Sequence, residues 1–337
     1  MSARVVVTRG GVEESWHTVH VAVVDTAGLV VARSGDPTRT AFLRSAAKPF
    51  QALPLVEDGV VERYGFTESE LALCCASHSS EPRHLAAAAS ILQRAELGEA
   101  DLACGPHEPF ASAEAERMRT QGERPRAVHN NCSGKHAGML ALARFHGWPT
   151  GGYHREGHPV QRRMAEEVAR WTGLGPGAMA SAVDGCGVLT FAAPLAAMAA
   201  AFARLGAAAA DGRPGPAAVV SAMTGHPFMV AGSGRLCTDL MEAAGGSVLV
   251  KAGAEGVYCA AVPGRGLGVA LKVEDGARRA QDPALVAVLE AIGAVDEAVL
   301  ATLARHRTPA VRNTRGEVVG GLRAEVSLED PIGSGTR

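Results

Sequence analysis

VVVTRGGVEESWHTVHVAVVDTAGLVVAR, residues 5–33, decides the fold class. Val5 to Thr8, Thr18 to Asp25 and Leu29 to Arg33 are runs rich in β-branched residues, and a Thr26-Ala27-Gly28 turn separates the last two. β-Branched side chains suit a pleated surface and the glycine lets the chain reverse, so this stretch predicts strands joined in a hairpin. Outward from it the period changes. Pro82 to Gln93, His136 to Phe145, Pro159 to Trp171, Phe191 to Leu205 and Thr238 to Ala244 space apolar residues three and four apart, which predicts helices. Thr67 with Glu70 reads as a capping box. Strand patterns return at Ser247 to Lys251, Val257 to Val262 and Leu267 to Val273; helical patterns follow at Ala280 to Ile292 and Glu297 to Arg305, then a strand around Leu322 to Leu328.

Strands at both ends with helices between predict an α/β fold, one domain over residues 1–337. Its sheet draws on about residues 1–40 and 245–330, and a mostly helical lobe spans about 45–240. Ala207 to Pro216 reads as a surface connection.

Composition narrows the function. With 337 residues, 47% of them hydrophobic, a sizeable core is available. A net charge of −2 argues against a nucleic-acid scaffold, and 4% aromatics are too few for base-stacking platforms. The N-terminus lacks the pattern of a signal peptide, and the apolar tract from Phe191 to Leu205 is interrupted by Pro194 and Arg204. The expectation is a cytoplasmic protein without a membrane span. Seven cysteines, an odd number in a long chain, suit a reduced interior. Only four of the 33 basic residues are lysines: Lys48, Lys135, Lys251 and Lys272. Arg keeps its proton in a protein, whereas a buried Lys can become a base or a ligand, so these lysines are candidates for amine chemistry.

Five segments concentrate reactive side chains. Ser45-Ala46-Ala47-Lys48-Pro49 is an S-x-x-K pattern; three apart on a helix face, a hydroxyl can hand its proton to an amine. Pro49 is tolerated only in a first turn, which puts Ser45 at or just before the helix start. Residues 75–84, with Ser77, crowd small polar groups before a proline that opens a helix. Residues 129–138 hold Asn130, Asn131, Cys132, Lys135 and His136, without the glycine frame of a phosphate loop. Asp184-Gly185-Cys186-Gly187 supplies a second thiol; Cys132 and Cys186 are ligand types suited to zinc, the third ligand being open at this stage. Lys251-Ala252-Gly253 ends a predicted strand, echoing the K-T-G that accompanies S-x-x-K in penicillin-recognising enzymes.

Taken in order, SAAKPFQALP (45–54), CASHS-EPRH (75–84), NCSGKHAGML (131–140), DGCGV-TF (184–191), HP-MVAG (226–232) and KAGAEGV (251–257) resemble the third class of L-asparaginases, the rhizobial, thermolabile-type family. The resemblance implies a fold like serine β-lactamases and serine-dependent glutaminases, with an antiparallel sheet flanked by helices, in a homodimer. It implies two Ser-Lys pairs, Ser45 with Lys48 and Ser77 with Lys251, and one zinc ion per chain on Cys132, Lys135 and Cys186. Arg44, Asp184 and His136 are implied in substrate binding. The expected reaction is hydrolysis of the side-chain amide of L-asparagine to L-aspartate and ammonia through an acyl-enzyme. Three positions depart from the family pattern: Ser80 stands where Gly is usual, Leu189 where Pro is usual, and Ala252 where Thr is frequent. Two other readings compete, a β-lactamase-like serine acyl-transfer enzyme and a non-catalytic zinc-binding protein.

Overall fold

The computed structural model describes residues 2–175 and 177–330. The chain divides into two compact units: Met1–Ala46, Ala192–Ala207 and Asp239–Arg337 form the first, Ala47–Phe191 and Ala208–Thr238 the second.

The strands are β1 (Ala3–Arg9), β2 (Val12–Asp25), β3 (Val30–Ser34), β4 (Thr40–Phe42), β5 (Ser181–Val183), β6 (Leu189–Pro194), β7 (Leu249–Ala252), β8 (Val257–Val262), β9 (Leu267–Val273), β10 (Ala310–Arg312) and β11 (Val318–Glu325). In the first unit an eight-stranded sheet runs β10-β11-β1-β2-β9-β8-β7, with β3 added on β2. Every pairing is antiparallel. The two chain ends meet in it, Val5 opposite Ala324 and Val7 opposite Leu322. Val19, Val21 and Val23 alternate with Ala22 and Val24 along β2, and all five are buried. A strand buried on both faces needs cover on both. The Leu195–Ala210 helix supplies some of it: a Cβ on Gly268 of β9 would stand 1.9 Å from the Ala199 carbonyl oxygen, so glycine is required there. The Arg278–Ala291 helix packs against β1, β8, β9 and β11.

Several sequence expectations shift. The tract read as one helix from Phe191 begins as strand β6, and the helix starts at Leu195. Pro194 explains the break, because a proline inside a helix would remove a ladder hydrogen bond. The connection expected over residues 207–216 shrinks: one helix runs to Ala210 and the next opens at Pro214. Alanine is the best helix former and proline is favoured in a first turn, so both ends extend into the supposed loop. β2 begins at Val12, ahead of the expected Thr18. Glu13 and Glu14 hid it by interrupting the apolar pattern; they pair with Arg4 and Arg9. The stretch 297–305 breaks into Glu297–Thr302 and Ala304–Arg307, and the last strand ends at Glu325.

The second unit is helical around one buried helix, Ser133–Phe145, in which every residue from Ser133 to Ala143 is buried. It packs against the Glu68–Cys74 and Pro82–Arg94 helices. Thr67 and Glu70 make the expected capping box on the former. Close approach depends on Gly134, where a Cβ would fall 2.4 Å from the Leu73 carbonyl oxygen. Among the described residues no helix is long and apolar enough to cross a membrane.

Candidate active site

Lys48 opens the Lys48–Glu57 helix, directly after the Arg44–Ala47 3₁₀ turn that holds Ser45, with Pro49 in its first turn. Its side chain is 1% exposed. Nζ donates to the Ala76 carbonyl (2.5 Å), Ser77 Oγ (3.0 Å) and Cys132 Sγ (3.1 Å). An ammonium has three N–H donors, and three acceptors meet it. Ala76 O can only accept, whereas the hydroxyl can also donate; a neutral amine would therefore turn its lone pair to Ser77 Oγ or to the thiol, not to Ala76.

The Ser77 segment is pinned by its backbone. Ser77 N–H donates to Val230 O (2.9 Å), His78 N–H to Asn131 O (3.1 Å), and Arg235 Nη1 donates to Ser77 O (3.3 Å). His78 Nδ1 accepts from Ser80 N–H (3.1 Å), so its proton sits on Nε2 and goes to Ser133 Oγ (2.9 Å). Burial holds this ring neutral, well below the ordinary histidine range. Ser80 has φ +62°, the left-handed region where glycine is at ease. That conformation accounts for glycine being usual there. The serine compensates by donating Oγ–H to the His129 carbonyl (2.5 Å).

Cys132 caps the start of the Ser133–Phe145 helix; its N–H donates to Asn130 Oδ1 (2.9 Å), and its Sγ lies 3.0 Å from Asn131 Oδ1, so that oxygen and Cys186 compete for its one hydrogen. Lys135, one turn on, donates to Cys186 Sγ (3.0 Å). Cys186 lies in the β5–β6 turn, which closes by Gly187 N–H to Asp184 O (2.8 Å), with Gly187 at φ +90°. The thiols divide one proton between them. The hydrogen bond from Cys132 and then the Lys135 charge outweigh burial and hold Cys186 down at about 4, a thiolate. That same bond, reinforced by burial, pushes Cys132 up to about 12. Burial opposes the Lys135 ammonium, but the Cys186 thiolate outweighs it and raises the amine above the ordinary lysine range. Asp184 is half-buried beside them and adds its own field to both groups.

His136, next along the helix, is fully buried, and burial followed by the Lys135 charge keeps it well below the ordinary histidine range. Its Nδ1 lies 2.6 Å from Tyr153 Oη, which also accepts from Ala103 N–H (3.0 Å). If the phenol donates to Nδ1, one polar atom is left unpaired, the Nε2–H. If Nδ1–H donates instead, both the phenol proton and the Nε2 lone pair are stranded. A stranded buried group costs about 1–3 kcal/mol, so the first arrangement holds. Among the described residues, Nε2 is indeed buried without a hydrogen-bond partner.

The second unit thus gathers Lys48, Ser77, Cys132, Lys135, His136, Asp184 and Cys186. Arg44, Ser45 and Lys251 belong to the first unit. Arg44 and Ser45 are half-buried, Arg44 at φ +51°, and Lys251 is 1% exposed on β7 with Nζ donating to Ala252 O (2.9 Å). Sequence reasoning missed Tyr153 and Arg235. Nothing in the local pattern around either marks it.

Among the described residues no three His, Cys, Asp or Glu side chains converge as a metal site. The family resemblance implies the Lys135 amine as the third donor beside Cys132 and Cys186. Two thiols, one held as a thiolate, and an amine 3.0 Å from that thiolate are donor types that fit a zinc ion.

The buried Lys48 amine is bonded to the Ser77 hydroxyl, and of the two thiols beside them only Cys186 is acidified. A family model described as L-asparaginase II matches residues 5–324. The chain belongs to the L-asparaginase II family, and with it to the amidohydrolases that act on small-molecule amides. No protein of curated function matches it significantly. Among solved structures it is similar to a β-lactamase from Mycobacterium bovis, at 18% identity and TM-score 0.36, covering 86% of this chain and 95% of that one. It is also similar to a protein called Mglu in its native form, at 16% identity and TM-score 0.37, covering 83% of this chain and 65% of that one.

Proposed function

We propose that the protein hydrolyses the side-chain amide of L-asparagine to L-aspartate and ammonia through a serine acyl-enzyme. The observation that carries this reading is the buried Lys48 amine, 3.0 Å from Ser77 Oγ. Ser45, three residues before Lys48, attacks the amide carbon and gives its proton to the Lys48 amine. Lys48 and Ser77 then pass a proton to the leaving nitrogen, so that the C–N bond breaks with loss of ammonia. Water, deprotonated by the same amine, releases aspartate and restores the serine. Donors aimed at the developing oxyanion add the electrostatic part. Lys251 enters through the family pattern as the second amine, and Arg44, Asp184 and His136 as substrate-binding groups.

Zinc, when bound, would be held by Cys132, Lys135 and Cys186 and would orient the substrate rather than activate water. The chain's own residues carry the proton transfers. As ligands, Cys132 and Lys135 must each release a proton, so zinc uptake is expected to acidify a weakly buffered solution.

Ammonia release from L-asparagine tests the reading. Ser45→Ala is expected to lower turnover by at least about 10³-fold, and Lys48→Met by at least about 10²-fold. Mass spectrometry of acid-quenched enzyme locates the β-aspartyl adduct. An adduct on Ser77 reassigns the attacking role to that serine. Turnover unchanged in Ser45→Ala and Ser77→Ala alike removes serine acyl transfer altogether.

A further inference from the structure

Tyr153 is 1% exposed and sits in a glycine-rich turn remote in sequence from the reactive motifs. Its phenol receives Ala103 N–H and gives its own proton to His136 Nδ1. The residue is held from behind as well. Buried Gln161 donates Nε2–H to the Tyr153 carbonyl (3.0 Å), and its Oε1 accepts from Leu189 N–H (3.1 Å). A proline at 189 would have no N–H for that last bond; the departure from the family pattern therefore adds a fixing point. With Nδ1 occupied, His136 carries hydrogen on Nε2, and that buried donor has no partner among the described residues. Buried donors left unpaired are rare in native proteins and call for an acceptor that arrives later. Lys135 and Lys48 act on the ring as positive charges and Cys132 opposes them in part, so an oxygen acceptor carrying negative charge suits the position. An Nε2 bearing hydrogen cannot ligate a metal, which keeps His136 apart from the Cys132, Lys135 and Cys186 donors.

We infer that Tyr153 is a positioning residue that fixes His136 as an Nε2–H donor for the α-carboxylate of the amino-acid substrate. The inference rests on the asparaginase reading and deepens it. The direct test is long-range proton–nitrogen NMR on protein labelled at histidine nitrogen, with His136→Gln identifying the His136 signals. Wild type is expected to show hydrogen on Nε2 and a bare Nδ1; hydrogen on Nδ1 overturns the inference without any variant having to fold. In Tyr153→Phe the His136 tautomers are expected to mix, and calorimetric affinity for L-aspartate to fall about tenfold. β-Alanine, which is L-aspartate without its α-carboxylate, is expected to bind wild type and Tyr153→Phe within about twofold of each other. His136→Gln keeps an N–H and is expected to recover part of the affinity lost in His136→Ala. Equal weakening of both ligands in Tyr153→Phe means general damage to the site and overturns the positioning role. Wild type that neither releases ammonia from L-asparagine nor binds L-aspartate counts against the asparaginase reading, whereas hydrogen on Nδ1 counts against this inference alone.

Discussion

Adding one methyl group at Gly134 should separate the parts of the candidate site. Gly134 lies between Cys132 and Lys135 in the first turn of the buried helix, and its Cβ position is 2.4 Å from the Leu73 carbonyl oxygen and 2.6 Å from Leu73 Cγ. Ordinary contact begins near 3.4 Å. In Gly134→Ala the helix must therefore retreat from the Glu68–Cys74 helix by about 1 Å, because a backbone carbonyl inside a helix cannot rotate away. Such overlap costs about 1–3 kcal/mol, against a gain of about 0.5–1 kcal/mol for alanine over glycine in a helix. Overlap wins, leaving a net loss of about 1–2 kcal/mol. The shift also lengthens the bonds of Lys48 to Ser77 and Cys132, which sit on either side of that contact. A displacement of about 1 Å at reacting groups costs on the order of 100-fold in turnover. Gly138→Ala is the control. Its Cβ would meet Cys74 Sγ at 2.9 Å and Leu55 Cδ1 at 3.0 Å, side-chain atoms that can give way, so a cost below about 1 kcal/mol is expected. Urea unfolding midpoints and ammonia release read the two effects. A Gly134→Ala protein as stable and as active as wild type would refute the close-approach argument.

Two further perturbations isolate single interactions. His306 lies 2.6 Å from Asp239 and 3.1 Å from Asp282; burial opposes its charge, but the two carboxylates outweigh burial and raise its pKa. Its stabilising contribution is thus complete below about pH 6.5, the unfolded value, and is lost as pH rises through the higher folded value. The difference in urea midpoint between wild type and His306→Gln should shrink across that window, and a difference that grows with pH would contradict the assignment. At Ser80 two effects oppose: the left-handed backbone costs about 1 kcal/mol, and the bond to His129 O contributes about the same. Ser80→Gly should therefore unfold within about 0.5 kcal/mol of wild type, while Ser80→Ala keeps the cost, loses the bond and should unfold about 1 kcal/mol earlier.

The sheet was legible because its strands are short apolar, β-branched runs between turns, such as VYCAAV in β8, which is buried at every position. Where the reading slipped, tertiary partners had replaced local pattern. The start of β2 is charged because Glu13 and Glu14 are held by Arg4 and Arg9 from β1, a pairing that spacing along β2 does not show. The Phe191 tract is apolar throughout, so composition alone cannot say where β6 stops. Pro194 carries that information, and its weight is plain once the helix is seen to begin one residue later.

At the site, residue types were legible and proton positions were not. Lys48, Ser77, Cys132, Lys135 and Cys186 stand out as rare or reactive residues in dense polar segments, and their order marks the family. What each atom can do depends on partners brought from elsewhere in the chain. Cys186 is a thiolate because Cys132 and Lys135 face it across more than fifty residues of sequence; alone between two glycines it would be an ordinary thiol. His136 offers a donor rather than an acceptor because of a phenol seventeen residues downstream. The distinction has a chemical consequence. An imidazole with a bare Nε2 would be one more base among the amines or one more ligand for zinc, whereas one with Nε2–H can only hold an acceptor in place. Whether that nitrogen takes part in chemistry or in substrate positioning is therefore decided by Tyr153, a residue that motif reading passes over.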